Sequence, residues 1–94
     1  MIDKVKIGQL VYSKAGRDKT KPLVIIEIED EYAFVADGKY RKIDAPKRKK
    51  LKHLQFTNTN FATIRSKIFE GELITNKFLW HTIDEYLKGG LYVG

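Results

Sequence analysis

Short apolar segments separated by turn residues dominate the first sixty positions, and they constrain the fold more than any other feature. The segment 23–29 alternates, with Val24, Ile26 and Ile28 on one face and Ile25 with two glutamates on the other. Side chains that branch at Cβ favour a pleated strand over a helix, because a helix restricts their χ1 angle and a sheet lets them pack. The face that carries Val24 is predicted to be core.

Turn signals on both sides of this segment predict five strands that form a small barrel. Asp30-Glu31 predicts a tight connection, and Asp37-Gly38 predicts a hairpin because glycine tolerates the positive φ of the turn. The predicted strands are 7–13, 23–29, 32–36, 39–43 and 51–56, with Leu54 and Phe56 pointing inward. Five short strands in about fifty residues suit a closed or partly closed barrel, which removes exposed sheet edges. The acidic cluster at 27–31 is predicted to lie on the outer edge of a hairpin.

The hydrophobic period changes after Thr57, which predicts two short helices in the C-terminal part. Asn60 is the predicted N-cap of the first helix and Gly71 its stop, whereas Thr75 caps the second, 76–88, and Gly89 stops it. The apolar stripes are Phe61, Ile64, Ile68 and Phe69 in the first helix and Leu79, Ile83, Tyr86 and Leu87 in the second. The predicted fold class is mainly β with C-terminal α: a barrel over 1–57, and a helical extension over 58–94 that packs on it.

Two features of the C-terminal part stay open. Trp80 lies beside the second stripe, where it either widens the packed face or forms an exposed anchor for a protein partner, and packing is favoured. The tail 90–94 either frays or adds 91–93 to an edge of the barrel.

The residue inventory excludes several classes of protein. The 94 residues contain no cysteine, which excludes disulfides and thiolate metal sites and fits a reducing compartment. Apolar runs such as 23–26 are too short to cross a bilayer, and the N-terminus lacks a signal-peptide hydrophobic region, so a cytoplasmic protein without a membrane partner is expected. His53 and His81 have no ligand partners at metal-binding spacing, so no metal is expected. The sequence has no phosphate-binding loop and no nucleophile elbow, so no enzyme, cofactor or small-molecule substrate is expected either.

Positive charge is concentrated in the barrel part. The net charge is +6; residues 1–60 hold 14 Lys/Arg against 8 Asp/Glu, and residues 61–94 hold 4 of each kind. Between Lys39 and Lys52 there are eight basic side chains and one acidic one, Asp44. Clustered cations gain affinity for nucleic acid by releasing its condensed counterions, so a barrel that faces nucleic acid is predicted. The alternative is a solvated charged loop, the commonest fate of a charge run.

The loop 14–22 is a second cationic segment. It carries four cations, and Gly16 lets its backbone approach a phosphate closely. Asp18 is predicted to be structural, because a carboxylate in a cationic turn caps local N–H groups or pairs with Arg17 more often than it contacts an anionic ligand.

Four segments of the sequence resemble the KOW-motif RNA-binding proteins. They are 8–19, which contains the letters AGRDK, the apolar strand 23–28, Ala36-Asp37-Gly38, and 46–54, which contains PKRKKLKHL. More narrowly, residues 4–57 are similar to small bacterial relatives of the archaeal and eukaryotic large-subunit ribosomal protein L-fourteen-e. The resemblance implies an SH3-like barrel, RNA binding, association with ribosomes or translation, and no catalytic activity.

Two segments depart from the pattern of that family. Thr20 stands where the family loop usually has glycine, and Pro22 follows two positions later. A residue branched at Cβ adopts a positive φ only at a cost, which predicts a loop of different shape. The second helix is also more aromatic, at 78–81, than the polar and basic helix expected of the family.

The predicted RNA-binding residues are cations of these loops and one histidine. They are Lys14, Arg17, Lys19, Lys21, Arg41, Lys42, Lys47, Arg48, Lys49, Lys50, Lys52 and His53. Lysines supply mobile point charges, while the arginines can hold a phosphate in a bidentate fork or stack on a base. His53 either hydrogen-bonds a phosphate or 2′-hydroxyl or packs against the sheet. Tyr12 and Tyr40 flank the basic loops and are candidates for base stacking, although a core position is favoured for both.

The expected partner is therefore RNA, ribosomal RNA in particular, with ribosomal proteins as further candidates. The alternative function is a protein-interaction module that uses the barrel groove or the aromatic helix 78–86, because SH3-like barrels host many functions.

Overall fold

The computed structural model describes residues 5–17 and 19–89, in which the strands come first and the helices last. The strands are β1 (Gln9–Ser13), β2 (Pro22–Glu29), β3 (Tyr32–Ala36), β4 (Lys47–Lys50) and β5 (Leu54–Asn60). A 3₁₀ turn, Leu51–His53, joins β4 to β5, and the helices are α1 (Ala62–Phe69) and α2 (Asn76–Leu87). Neighbouring strands are antiparallel, in the order β4-β3-β2-β1-β5. The predicted class, a mainly β, barrel-like domain followed by two helices, is confirmed.

The connection between β2 and β3 is the predicted two-residue turn. Glu29 pairs directly with Tyr32, and Asp30 has a φ of 54°, a left-handed conformation that Asp adopts more readily than most residues. The carboxylates of the acidic cluster are exposed at this end of the hairpin, as predicted.

The fourth strand differs from the prediction. Residues 39–43 form no strand and belong to a loop, 37–46, while the basic segment 47–50 pairs with β3. β4 is an edge strand of the sheet, a position where charged side chains, above all lysine, are common. The last strand begins at Leu54, which is buried as predicted, and runs beyond the predicted boundary at 57.

The buried carboxylate of Asp37 explains why a loop replaces the predicted strand 39–43. Asp37 is 1% exposed. Its Oδ1 accepts hydrogen bonds from the backbone N–H groups of Lys39, Tyr40 and Arg41, at 2.9, 2.9 and 2.8 Å. These N–H groups are satisfied within the loop and need no strand partner.

A register shift in β2 changes which side chains share a face. The shift lies between Ile25 and Glu27, so Ile28 packs on the same side as Ile25, while Val24 and Ile26 pack on the other side. The prediction that Val24, Ile26 and Ile28 share one face is wrong, because one extra residue in a strand reverses the facing of the residues after it.

The core consists of two clusters, one on each face of the sheet. The first joins the sheet to the helices and comprises Leu10, Val24, Ala36, Phe61, Ile64, Ile74, Leu79 and Ile83. The second lies on the opposite face and comprises Val11, Leu23, Ile25, Ala33, Val35 and Leu54. The helices are therefore held to the sheet by apolar burial, which contributes about 1.5–3 kcal/mol for each large side chain.

The helix ends agree with the prediction at three of the four positions. Asn60 is not an N-cap: it ends β5, and its side-chain amide donates to the carbonyl of Ile7 at 3.1 Å. Thr75 is the predicted N-cap, since its Oγ1 accepts a hydrogen bond from the N–H of Phe78 at 3.0 Å. Glycines with positive φ follow both helices, at the two predicted stops.

The packed face of α2 is shorter than predicted. Leu79 and Ile83 are buried, but Leu87 is 46% exposed. Trp80 packs against the first core cluster, in agreement with the favoured alternative. The tail 90–94 lies outside the described residues. Within the described ranges, neither helix is long and apolar enough to cross a membrane.

Candidate nucleic-acid interface

The basic side chains of β4 alternate between the two faces of the sheet. Tyr32 lies opposite Lys50 and Phe34 opposite Arg48, and residues directly opposite in an antiparallel pair share a face. Arg48 and Lys50 therefore stand beside two aromatic residues, and the Arg48 guanidinium lies 4.1 Å from the centre of the Tyr32 ring. A planar cation stacked on a ring is oriented, and because Arg48 is also exposed to solvent it can bind an anion.

The other two cations of β4 lie on the side of the loop 14–21. Lys49 is half buried, and its Nζ donates a hydrogen bond to the carbonyl of Ala15 at 3.4 Å. The backbone N–H of Lys14 donates to the carbonyl of His53 at 2.8 Å, which fixes the start of the loop. The two predicted basic segments therefore meet. The shallow cleft between them, about 400 Å³, is lined by Ala15, Gly16, Tyr32, Lys47–Lys50 and His53.

The loop contains two residues with positive φ. Gly16 has a φ of 80° and Thr20 a φ of 69°. Thr20 thus adopts a conformation that glycine takes more easily, at a strain of about 1–3 kcal/mol, and its N–H donates to the carbonyl of Ser13 at 2.9 Å. Thr20 therefore adopts the costly positive φ, and the difference in shape from the family loop stays a prediction. Asp18 lies outside the described residues.

The far end of the basic run lies beside carboxylates. A second cleft of about 570 Å³ holds three lysines and two acidic residues over an apolar floor; its lining is Val5, Lys14, Asp30, Glu31, Lys50, Leu51, Lys52, Leu54 and Phe56. The N–H of Leu51 donates to the carbonyl of Glu31 at 2.9 Å, which joins the basic turn to the acidic hairpin. Carboxylates near a cation weaken its attraction for a phosphate, so we expect phosphate to bind more tightly at the Lys47 end of the run.

The loop 37–46 is held against the start of α2. The side chain of Asn76 accepts a hydrogen bond from the N–H of Ile43 at 2.7 Å. Gly38 packs so closely on the helix that a Cβ at this position would overlap the carbonyl oxygen of Asn76. A helix from the neutral part of the chain therefore positions a basic loop.

Tyr40, at the tip of that loop, is exposed, although a core position was favoured for it. Tyr40 is 58% exposed. The Nζ of Lys21 lies 4.1 Å from the ring centre and the Nζ of Lys39 lies 5.3 Å from it. Lys39 also lies 4.9 Å from the ring of Trp80. The sequence feature that could have indicated this exposure is the position of Tyr40 between Lys39 and Arg41. Tyr12, the other candidate, is half buried.

The twelve predicted residues are thus distributed over three clefts and two loops. The cleft between β4 and the loop holds Lys47, Arg48, Lys49, Lys50 and His53. Lys14 and Lys52 line the cleft beside the acidic hairpin, and Lys19 lines a third with Tyr12 and Lys14. Of the other four, Arg17 and Lys42 are exposed in their loops, Arg41 is half buried, and Lys21 lies on Tyr40. Tyr32, Asp37 and Asn76 position cations or basic loops, and the prediction missed all three.

Cations of β4 and of the helices differ in their partners. In the described part of the chain, Lys47, Arg48 and Lys50 form no ion pair with a carboxylate. In the helical part, Lys67 pairs with Glu72 at 3.5 Å and Lys88 with Asp84 at 3.0 Å.

Contacts between side chains in the helical part shift their pKa values. A hydrogen bond shared with Glu70, followed by the charge of Lys67, holds the pKa of Glu72 below its ordinary value. The same hydrogen bond raises the pKa of Glu70. The hydrogen bond to Asp84 raises the pKa of Lys88.

Metal coordination has no candidate site among residues 5–17 and 19–89, where no group of three or more His, Asp or Glu side chains is placed to hold an ion. His53 and His81 are both exposed.

Comparison with known proteins leaves the family of this chain open. No model of a known protein family matches it, and no curated protein matches it in sequence. Membership of the KOW-motif proteins stays a prediction that rests on the residues quoted above.

Proposed function

We propose that this protein binds the phosphate backbone of RNA through the surface that β4 and the loop 14–21 form together. One observation carries the proposal: exposed cations of β4 have no carboxylate partner among the described residues and lie beside a loop that contains Gly16. Unpaired clustered cations repel one another, and a polyanion removes that repulsion and releases its own counterions.

The side chains of β4 have different roles in this binding. Arg48, oriented by the ring of Tyr32, presents a fork that fits two phosphate oxygens. Lys47 and Lys50 act as mobile point charges, and Lys49 holds the loop through the carbonyl of Ala15. Contacts of this kind position RNA without reading its sequence.

The ribosome is the proposed setting, with ribosomal RNA as the ligand, ribosomal proteins as further partners and the cytoplasm as the compartment. Support for this part comes from the resemblance of residues 4–57 to small ribosomal-protein relatives. The mechanism above requires no catalytic group, cofactor or metal.

The alternative, a peptide-binding module built on the aromatic helix, has less support. Phe78, Trp80 and Tyr86 all pack against the first core cluster. Rings that are partly used in the core offer less area to a peptide.

Ribosome co-sedimentation tests the proposal in cells. The variant Lys47→Gln, Arg48→Gln, Lys50→Gln removes three charges and keeps Lys49, which holds the loop. We expect wild-type protein in the ribosomal fractions and a reduction of about tenfold or more in the variant, with circular dichroism unchanged. Crosslinking and sequencing of the attached RNA then identifies the site. Unchanged co-sedimentation of the folded variant contradicts the proposal.

A further inference from the structure

An exposed aromatic ring with two cations close to it is the second notable surface of this protein. The ring of Tyr40 has the ammonium groups of Lys21 and Lys39 at 4.1 and 5.3 Å from its centre. Tyr40 is also 58% exposed, in a small domain that needs apolar side chains for its core.

The backbone under this ring is firmly held. The N–H of Tyr40 donates to the buried carboxylate of Asp37 at 2.9 Å, and Gly38 packs against the backbone of α2. Further along the same loop, the backbone N–H of Ile43 donates to the side chain of Asn76. A ring presented by a fixed loop loses little conformational freedom when a ligand stacks on it.

We propose that Tyr40 is a stacking platform for an unpaired base of RNA, and that Lys21 and Lys39 bind the phosphates next to that base. This inference rests on the proposed RNA binding and specifies the class of RNA. The RNA has a single-stranded segment or loop at Tyr40, in addition to the backbone phosphates that β4 contacts. Every base has a π face, so the platform accepts any of the four bases.

Relative strengths favour the base over the lysines that occupy the ring in the free protein. The contact between a cation and an exposed ring favours the bound over the free position of the cation by a factor of about 2–5. A base stacked on a ring increases the affinity for the nucleic acid by about 5- to 150-fold. The base therefore displaces an ammonium group from the ring, and the freed ammonium group gains a phosphate partner.

Phe69 offers a matched control. It is 65% exposed and has one nearby cation, the Arg65 guanidinium at 5.7 Å, but it lies at the end of α1 in the neutral part of the chain. Loss of this ring removes similar exposed aromatic area without touching a basic loop.

The experiment compares two RNA probes with the purified full chain. One is a single-stranded oligoadenylate of about 12 nucleotides, and the other is a blunt RNA duplex of the same length. Binding of each is measured by fluorescence anisotropy for wild type, Tyr40→Ala, Tyr40→Phe and Phe69→Ala. We expect Tyr40→Ala to weaken single-strand binding by about 5-fold or more with duplex binding unchanged, and Tyr40→Phe and Phe69→Ala to match wild type.

Three results overturn the inference. If Tyr40→Ala weakens binding to the single strand and to the duplex equally, the ring supports the structure of the loop and does not stack on a base. No loss with Tyr40→Ala, while the triple β4 variant does lose binding, removes the platform and leaves the proposed function intact. If wild type binds neither the single strand nor the duplex, both the stacking platform and the proposed RNA binding are contradicted.

Discussion

The sheet and the helices of this protein carry the same kinds of charge but give them different partners. In the helical part, Lys67 and Lys88 pair with Glu72 and Asp84. In the sheet part, the Arg48 guanidinium lies on a tyrosine ring, and Lys47 has no ion pair within the described ranges. Two of the four helical cations are thus paired inside a part of the chain that has no net charge, whereas the exposed cations Lys47, Arg48 and Lys50 of β4 are available to an external anion.

The neutral part nevertheless positions the basic part. The helices cover one face of the sheet, and the start of α2 contacts the loop 37–46 through Gly38 and Asn76. The helices therefore support the basic loop through these contacts, and three substitutions test the contrast between the two parts.

Gly38→Ala is expected to have the largest effect, because it separates the two regions. The new Cβ would overlap a backbone carbonyl of α2, and the residue has a φ of 83°. We expect a loss of about 3–5 kcal/mol in the free energy of unfolding, measured by urea denaturation. Gly71→Ala is the control: its φ is also positive, at 72°, but nothing lies within 4 Å of its Cβ position. A loss of about 1–2 kcal/mol is expected there, the cost of a left-handed conformation for alanine, and equal losses in the two variants contradict the proposed contact.

Asn76→Ala is expected to have an intermediate effect that is local to the basic loop. It removes the acceptor for the N–H of Ile43, which costs about 1–2 kcal/mol. Thr75→Ala removes the N-cap of the same helix at a similar cost, about 1 kcal/mol, without touching the loop. Hydrogen exchange should therefore show lost protection of the Ile43 amide in Asn76→Ala only. Equal loss in both variants means that the helix, and not this hydrogen bond, holds the loop.

Asp84→Asn is expected to have the smallest effect and tests the charge balance of the helices. The hydrogen bond to Asp84 raises the pKa of Lys88 above its ordinary value of 10.5. The pair between Lys88 and Asp84 therefore contributes to stability below the pKa of Lys88 in the unfolded chain, and this contribution is lost as pH rises through the pKa in the folded chain. An NMR titration of the Lys88 side chain should give a lower pKa in the variant than in wild type. Identical pKa values contradict the pair.

The sequence predicted the parts of the fold that local patterns decide. Alternating residues over 23–29 predicted β2, turn signals on both sides of 32–36 predicted β3, and Thr75 and Gly89 predicted the ends of α2. It failed at β4, because the side chain of Asp37 satisfies three backbone N–H groups and turns a predicted strand into a loop. It also failed in β2, where a register shift that no residue type announces reverses one face.

The composition of the candidate site was predicted, and its arrangement only in part. The cations of β4 and the loop 14–21 were both identified, and the structure brings them together through Lys49 and Ala15. The carboxylates beside Lys50 and Lys52 could not be foreseen, because they come from a hairpin about twenty residues away along the sequence. The exposure of Tyr40 depends on contacts between the loop 37–46 and α2, which no local pattern contains.

The salt dependence of RNA binding distinguishes the cations of the sheet from those of the helices. Two variants have the same net charge, since each loses three cations: Lys47→Gln, Arg48→Gln, Lys50→Gln in the sheet, and Lys67→Gln, Lys77→Gln, Lys88→Gln in the helices. K is the association constant for RNA, and its logarithm decreases linearly with the logarithm of the salt concentration. We predict that this slope becomes shallower by about 2–3 in the sheet variant and stays at the wild-type value in the helix variant. An equal change of slope in both variants would show that net charge alone drives binding and would contradict the account.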